Sequence, residues 1–321
     1  MSWICPICST SNLDDEPQCM VCDTIKPIPS GLGFDVSEQM SRLSSVLSGI
    51  ITSSATNADE EYKKGNYHLS RNEYELAFRC FEAAAKKEHA LSENELGDCY
   101  YYGRGCDQDY KKALSWFEKS ANHGCVMGQF NLGYCYCYGK GTDKNYELAV
   151  VWLKKASDQG HTSAMVELGN CYYFGCGVVK NYETAFQLYF MAANGGNVAG
   201  LYEVGFSYTN GQGVETDYQK AYEYYKKAAD AGYVPAINAL GDCYYYGRYV
   251  AKDQRKAFEL FTKAAEKGNT SAKYNLGFCY ENGQGVLHSK RKAIYWYEQA
   301  SIDGHDGAKK ALARLKGGSV V

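Results

Sequence analysis

A ten-residue stretch returns six times at a fixed interval of 36 residues: LGDCYYYGRG at Leu96, LGYCYCYGKG at Leu132, LGNCYYFGCG at Leu168, VGFSYTNGQG at Val204, LGDCYYYGRY at Leu240 and LGFCYENGQG at Leu276. A unit of that length cannot bury its apolar side alone, so copies must stack on one another around a continuous core. Architecture is thereby fixed before any other property. Binding specificity is left to the positions that differ between copies.

Comparing the copies separates scaffold from variation. Sixteen residues after each repeat glycine stands Ala113, Ala149, Ala185, Ala221, Ala257 or Ala293, small enough for two helices to approach. Three residues further on, Trp116, Trp152, Leu188, Tyr224, Leu260 and Trp296 are bulky and are expected to fill the space between repeats. Four residues before each alanine lies Asp109, Asn145, Asn181, Asp217, Asp253 or Ser289, side chains that accept hydrogen bonds from the free amides of a helix start. Gly124, Gly160, Gly196, Gly232, Gly268 and Gly304 close that second helix. The G-x-G between the helices follows a helix rather than a strand and lacks a third glycine, so it is a turn and not a phosphate loop. Tyr249 replaces the second loop glycine of its copy, which predicts a strained backbone or a redirected loop there.

Residues 58–95 form a shorter related unit, with Gly65 twelve residues before Ala77 and with Phe81 and Ala84 at packing places. This unit resembles a tetratricopeptide repeat. The six copies over 96–311 resemble Sel-1-like repeats, a related family with a longer loop, and 312–321 supply a terminal cap and tail. Lys309, Lys310, Arg314 and Lys316 are expected to form a solvated face. The resemblance implies an all-α fold: a right-handed superhelical solenoid of antiparallel helix pairs, preceded by a small zinc ribbon.

That ribbon is expected over residues 1–27. In WICPICSTSNLDDEPQCMVC two C-x2-C pairs offer four thiolates, Cys5, Cys8, Cys19 and Cys22, to one tetrahedral ion. So short a segment needs metal to fold, and zinc supplies about 10–16 kcal/mol in small peptides. Zn2+ is the metal expected; a rubredoxin-like iron site is the alternative, since four thiolates suit both. Trp3, Cys5, Cys8, Asn12, Cys19 and Cys22 also resemble the Ran-binding-protein-2-type zinc finger, whose members bind ubiquitin or single-stranded RNA. Leu13-Asp14-Asp15-Glu16 stands where RNA-binding members carry arginines, and carboxylates repel phosphates. Ubiquitin-binding members carry Thr-Phe where this chain has Ser9-Thr10, while Val21 supplies their apolar residue before the fourth cysteine. A ribbon that engages ubiquitin and one that only folds or docks another protein both stay open. Residues 28–57 then form a linker, in which Val36, Met40, Leu43, Leu47 and Ile50 mark an amphipathic helix covering the first face of the solenoid.

A net charge of −3 lacks the basic patch of a nucleic-acid or anionic-membrane binder. The N-terminus shows neither a secretory signal nor a membrane span, so a cytoplasmic or nuclear location is expected. Of 14 cysteines, Cys99, Cys135, Cys171, Cys243 and Cys279 share one repeat position with Ser207, which suits a small buried residue and free thiols. His89, His123, His161 and His305 fall at turns between repeats and are expected to be solvated.

In stacked helix pairs the first helices line the concave side. Side chains three before, one beyond and four beyond each repeat glycine share a face there: Asn94, Asp98, Tyr101, Phe130, Tyr134, Asn170, Tyr173, Tyr202, Phe206, Asn238, Asp242, Tyr245, Tyr274, Phe278 and Glu281. Rings give contact area, amides bond a peptide backbone and carboxylates favour basic side chains; some of the rings will instead pack on neighbouring helices. The third aromatic of each copy, as Tyr102, is expected to be packing. The chain is therefore expected to be a non-enzymatic adaptor that grips a protein or peptide in this groove and engages a second protein through its zinc finger. The alternative is a metal-thiolate redox protein or an enzyme accessory subunit.

Overall fold

The computed structural model describes residues 2–4, 11–13 and 57–317. The chain divides into two compact units, Met1–Thr56 and Asn57–Val321. In the first, β1 (Ser2–Ile4) pairs antiparallel with β2 (Ser11–Leu13), Trp3 opposite Asn12. The two strands flank Cys5 and Cys8 in sequence. The four ribbon cysteines and the helix expected from Val36 to Ile50 lie outside the described residues.

Among the described residues of the second unit, all the regular structure is helical. It begins with α1 (57–70) and α2 (Tyr74–Ala85). Five further pairs follow: α3 (Ala90–Tyr102) with α4 (Tyr110–Asn122), α5 (Val126–Tyr138) with α6 (Tyr146–Asp158), α7 (Thr162–Phe174) with α8 (Tyr182–Asn194), α9 (Val198–Asn210) with α10 (Tyr218–Asp230), and α11 (Val234–Tyr246) with α12 (Gln254–Glu266). A last pair, α13 (Thr270–Asn282) with α14 (Lys290–Ile302), is closed by α15 (Asp306–Leu315). All six expected caps of the second helices accept backbone N–H bonds, Asp109 from Lys111 and Lys112, Asn145 from Leu148 and Ser289 from Lys292 among them. Several of the first helices are capped as well, though Cys125 before α5 and Tyr233 before α11 make no side-chain cap bond. His89, His161 and His305 accept from Ser92, Ala164 and Ala308 through a ring nitrogen, so these three are cap residues and not the solvated turn residues expected. His123 instead bonds the carboxylate of Glu93 at 2.8 Å. Thirty residues separate that pair, and the same two positions hold Gln129 with Gln159 and Lys273 with Asp303, so three copies lock their two helices with a polar pair of their own.

The helices within a copy meet at the repeat glycine. A Cβ on Gly97, Gly133, Gly169, Gly205, Gly241 or Gly277 would sit 2.5–2.8 Å from Phe117, Leu153, Tyr189, Tyr225, Phe261 or Tyr297. Those six side chains are buried. The bulky row expected to fill the space between repeats, Trp116 to Trp296, lies one residue earlier and is half-buried. It covers the joint between copies, where Lys119 and Lys155 sit 3.9 Å from the rings of Trp116 and Trp152. Each apolar cluster spans neighbouring copies, as when Ala113, Phe117 and Ala121 pack with Leu132 and Cys135. The ten cysteines among the described residues carry free thiols, and those of the shared repeat position are buried.

Tyr249 takes the strained course. Its φ is 67°, in the region that L side chains avoid, and its ring lies 5.6 Å from that of Tyr222. In other copies a Cβ on the corresponding glycine, Gly105 for one, would strike the Tyr74 carbonyl of the preceding copy. Tyr249→Gly is expected to stabilise the solenoid by about 0.5–1 kcal/mol, the left-handed penalty of ~1–2 kcal/mol less the extra chain entropy of glycine. Urea unfolding followed by circular dichroism measures it; an unchanged or lower midpoint counts against the strain.

Candidate functional site

The first helices touch across copies, α3 with α5, α5 with α7 and α7 with α9, so they line one side of the stack. Between α3 and α5 a cavity of about 230 Å³ is walled by Asp98, Tyr101, Tyr102, Phe117, Phe130, Asn131, Tyr134 and Cys135. Between α11 and α13 lies one of about 300 Å³, walled by Asp242, Tyr245, Tyr246, Phe261, Tyr274, Asn275, Phe278 and Cys279. Every wall residue of the second stands 144 positions after its counterpart in the first, four repeat lengths along. The polar frame is copied too. Asn131 Nδ2 donates to Asn94 Oδ1 at 2.9 Å, and Asn275 Nδ2 donates to Asn238 Oδ1 at 3.1 Å and to Asp242 Oδ1 at 3.4 Å. The Arg104 guanidinium lies 4.7 Å over the Tyr102 ring, and Arg248 lies 4.8 Å over Tyr246.

Between these twins, Tyr202, Phe206, Asn238 and Asp242 line a third cavity, and Asn170 lines a fourth. Three of the sequence-derived candidates line none of the four. Asn94 is 2% exposed and serves as the acceptor beneath Asp98. Tyr173 donates its hydroxyl to Gln212 at 2.9 Å. Glu281 is held by Arg314 of α15 at 2.6 and 3.0 Å, so the arginine, solvent-exposed as expected, also closes the last copy. Burial works against the Glu281 charge, yet Arg314 and the Tyr297 hydroxyl hold its carboxyl below the usual range. Several rings of the face also stack on neighbouring copies: Phe130 on His161 at 4.6 Å, Tyr274 on His305 at 4.4 Å, and Tyr202 near Tyr233.

The sequence reading missed two rows. Tyr102, Tyr138, Phe174 and Tyr246, the third aromatics taken as packing, are 44–68% exposed and stand at the cavity mouths. The row that packs is two residues earlier, where Tyr100 meets Phe78 edge-on at 5.4 Å. The second missed row, two residues before the repeat glycine, holds Glu95, Asn131, Glu167, Glu203 and Asn275. Helical spacing could have found both, since this row and the third aromatics lie three residues before and four after Asp98 and its counterparts.

Apart from Glu281, the carboxylates of the face form no ion pair among the described residues. Among the described residues the ion pairs involve none of Glu95, Asp98, Glu167, Glu203 and Asp242. Burial pushes Asp98 up to about 7, with Glu95 adding and Arg104 opposing. Burial does the same to Asp242, against Arg248, and to Glu203, with Glu167 adding, each up to about 7. A half-buried carboxylate without a cation raises its pKa in this way, and a cation brought beside it would reverse the shift.

Stacked helix hairpins with a cavity-lined inner row define an α-solenoid of the repeat class. The model of the Sel1 repeat matches seven segments, 58–89, 90–125, 126–161, 162–197, 198–233, 234–269 and 270–305, and the chain belongs to the Sel1 repeat family. The seven include 58–89, the unit that resembles a tetratricopeptide repeat, and each later copy starts six residues before its Leu-Gly pair. Two solved structures are similar at 31% identity. One is a Sel1 repeat protein from Oxalobacter formigenes, with a TM-score of 0.70 over 75% of this chain and 96% of that one. The other, a protective antigen of uropathogenic Escherichia coli strains displaying an SLR fold, aligns with a TM-score of 0.65 over 83% of this chain. This chain spans 58% of that antigen's length. No curated protein matches the chain in sequence. Among the described residues no helix is long and apolar enough to cross a membrane.

Proposed function

We propose that the chain is a non-enzymatic adaptor whose solenoid binds a protein segment carrying basic side chains along the first-helix face. One observation carries this: two cavities of the same make, four repeat lengths apart, each set among asparagines, under exposed aromatic rings, a carboxylate that has no ion pair among the described residues. A lysine or arginine entering such a cavity meets a carboxylate already stripped of water, and the rings cover its aliphatic stem. Repetition lets one extended segment engage several weak sites at once. The test is a bead-displayed library of twelve-residue peptides. The intact chain is expected to enrich lysine- and arginine-containing sequences, and a chain with Asp98, Tyr134, Asn170 and Tyr245 all replaced by alanine is expected to lose that enrichment. Equal enrichment by both chains, or a preference for acidic peptides, overturns the assignment.

For the N-terminal unit the reading is a zinc ribbon held by Cys5, Cys8, Cys19 and Cys22, serving as a second protein-docking module. A β1–β2 hairpin that brackets the first C-x2-C pair in sequence supports it. The purified chain is expected to carry one zinc ion by atomic emission, Cys5→Ser to release it, and the thermal unfolding of the helices to stay where it was. Visible absorbance that bleaches on reduction would instead mean iron. Labelled ubiquitin titrated with the intact chain decides whether ubiquitin is the ribbon's partner.

A further inference from the structure

In three copies the residue four beyond the repeat glycine shares a cavity with the buried cysteine of the next copy: Tyr101 with Cys135, Thr209 with Cys243, Tyr245 with Cys279. In one copy that residue is itself a cysteine. Cys137 of α5 and Cys171 of α7 lie in the same apolar cluster, 7% and 4% exposed. Both line a cavity of about 220 Å³ that opens on the groove, with Cys176 half-exposed beside them and Glu167 in the wall. We propose that Cys137 and Cys171 form an oxidisable dithiol site, which a hydroperoxide converts to a disulfide joining α5 to α7.

The chemistry of the pair differs from that of its counterparts. Burial pushes Cys99, Cys135 and Cys279 up to about 12 and Cys243 up to about 11, which keeps them as inert thiols. Cys171 sits at the same repeat position, but it shares its cavity with a second thiol, and the neighbouring Cys137 lowers its pKa while that of Cys137 is raised. Cys171 is therefore the more readily ionised thiol and Cys137 the proton-bearing partner, the division of labour that two-step oxidation needs. The Cys171 thiolate attacks one oxygen of the hydroperoxide, the O–O bond breaks, and hydroxide leaves behind a sulfenic acid. The Cys137 sulfur then attacks the Cys171 sulfur, the S–S bond forms, the S–O bond breaks, and the oxygen leaves as water with the proton from Cys137. Two thiols and one hydrogen peroxide give one disulfide and two waters, the sulfurs losing two electrons and the peroxide gaining them. The product staples two neighbouring copies across the groove wall, where a restraint on their separation alters the neighbouring cavities.

The experiment treats the native full-length chain with a small excess of hydrogen peroxide, alkylates the remaining thiols, and maps the crosslinks by mass spectrometry without reduction. A peptide pair joined through Cys137 and Cys171 is expected, reversible by dithiothreitol, together with a rise in thermal midpoint of a few degrees. Cys176→Ser is expected to leave the crosslink in place, and Cys137→Ser to abolish it and turn Cys171 into a stable sulfenic acid that dimedone labels. The wild-type map decides the matter even where a variant folds poorly. A crosslink through Cys176 instead, or Cys137 and Cys171 that both remain fully alkylatable after denaturation, overturns the proposal.

Discussion

Phe261→Ala is expected to destabilise the solenoid by about 3–5 kcal/mol, the cost of emptying the site of a buried aromatic ring. Phe261 is 2% exposed, and its ring lies against the bare face of Gly241. The reciprocal change tests the same contact from the other side. Gly241→Ala adds a methyl 2.5 Å from the ring, and overpacking of a closed core costs about 1–3 kcal/mol. Combining the two puts the new methyl into space the ring has left, so the double variant should be more stable than the sum of the singles by more than about 0.5 kcal/mol. Stability in a repeat array is a sum of unit and interface terms, so hydrogen exchange should localise the loss to 234–269 and the copies on either side. Additive single effects, or protection lost evenly along the chain, would show that this glycine–ring contact is not what closes each hairpin.

That contact shows where the sequence was legible. The interval of 36 residues and the capping side chains are local signals, and the caps at Asp109 and Asn145 stand where spacing put them. Which of two adjacent bulky residues faces inward is a different matter. Trp116 and Phe117 differ by 100° around one helix, and only the position of the opposing glycine selects Phe117. The same ambiguity hid the exposed Tyr102 row behind the packed Tyr100 row. Partnerships between copies were equally out of reach: the Arg314–Glu281 pair joins residues 33 positions apart, and nothing near Arg314 in sequence announces it. The histidine caps had a visible signal, because Asn197 and Asn269 occupy the same repeat position as His161 and His305 and are familiar cap residues. Asp98 and Asp242 were found as positions, but their state as half-buried carboxylates without cations depends on what three dimensions leave unpaired.

That state gives the second large effect. Affinity for a lysine- or arginine-rich peptide should fall as pH is lowered from about 8 to 6, because Asp98, Glu203 and Asp242, held up to about 7 by burial, become neutral over that range. Asp98→Asn with Asp242→Asn should reduce affinity at pH 8 on the order of 100-fold, taking ~1.5 kcal/mol for each charged hydrogen bond lost, and should flatten most of the pH dependence. The free protein should respond in the opposite sense. A carboxyl whose folded pKa lies above its unfolded value contributes stability that is complete below the unfolded value and is lost as pH rises through the folded one. Without peptide, these three groups should therefore lower the unfolding midpoint between about pH 4 and 7, and the double variant should show a shallower decline. Opposite slopes for binding and for unliganded stability, both damped by the same two substitutions, are what unpaired carboxylates waiting for a cation require. A peptide affinity that is flat across pH 6 to 8 while the double variant keeps its fold would remove the charge from recognition and leave only the rings.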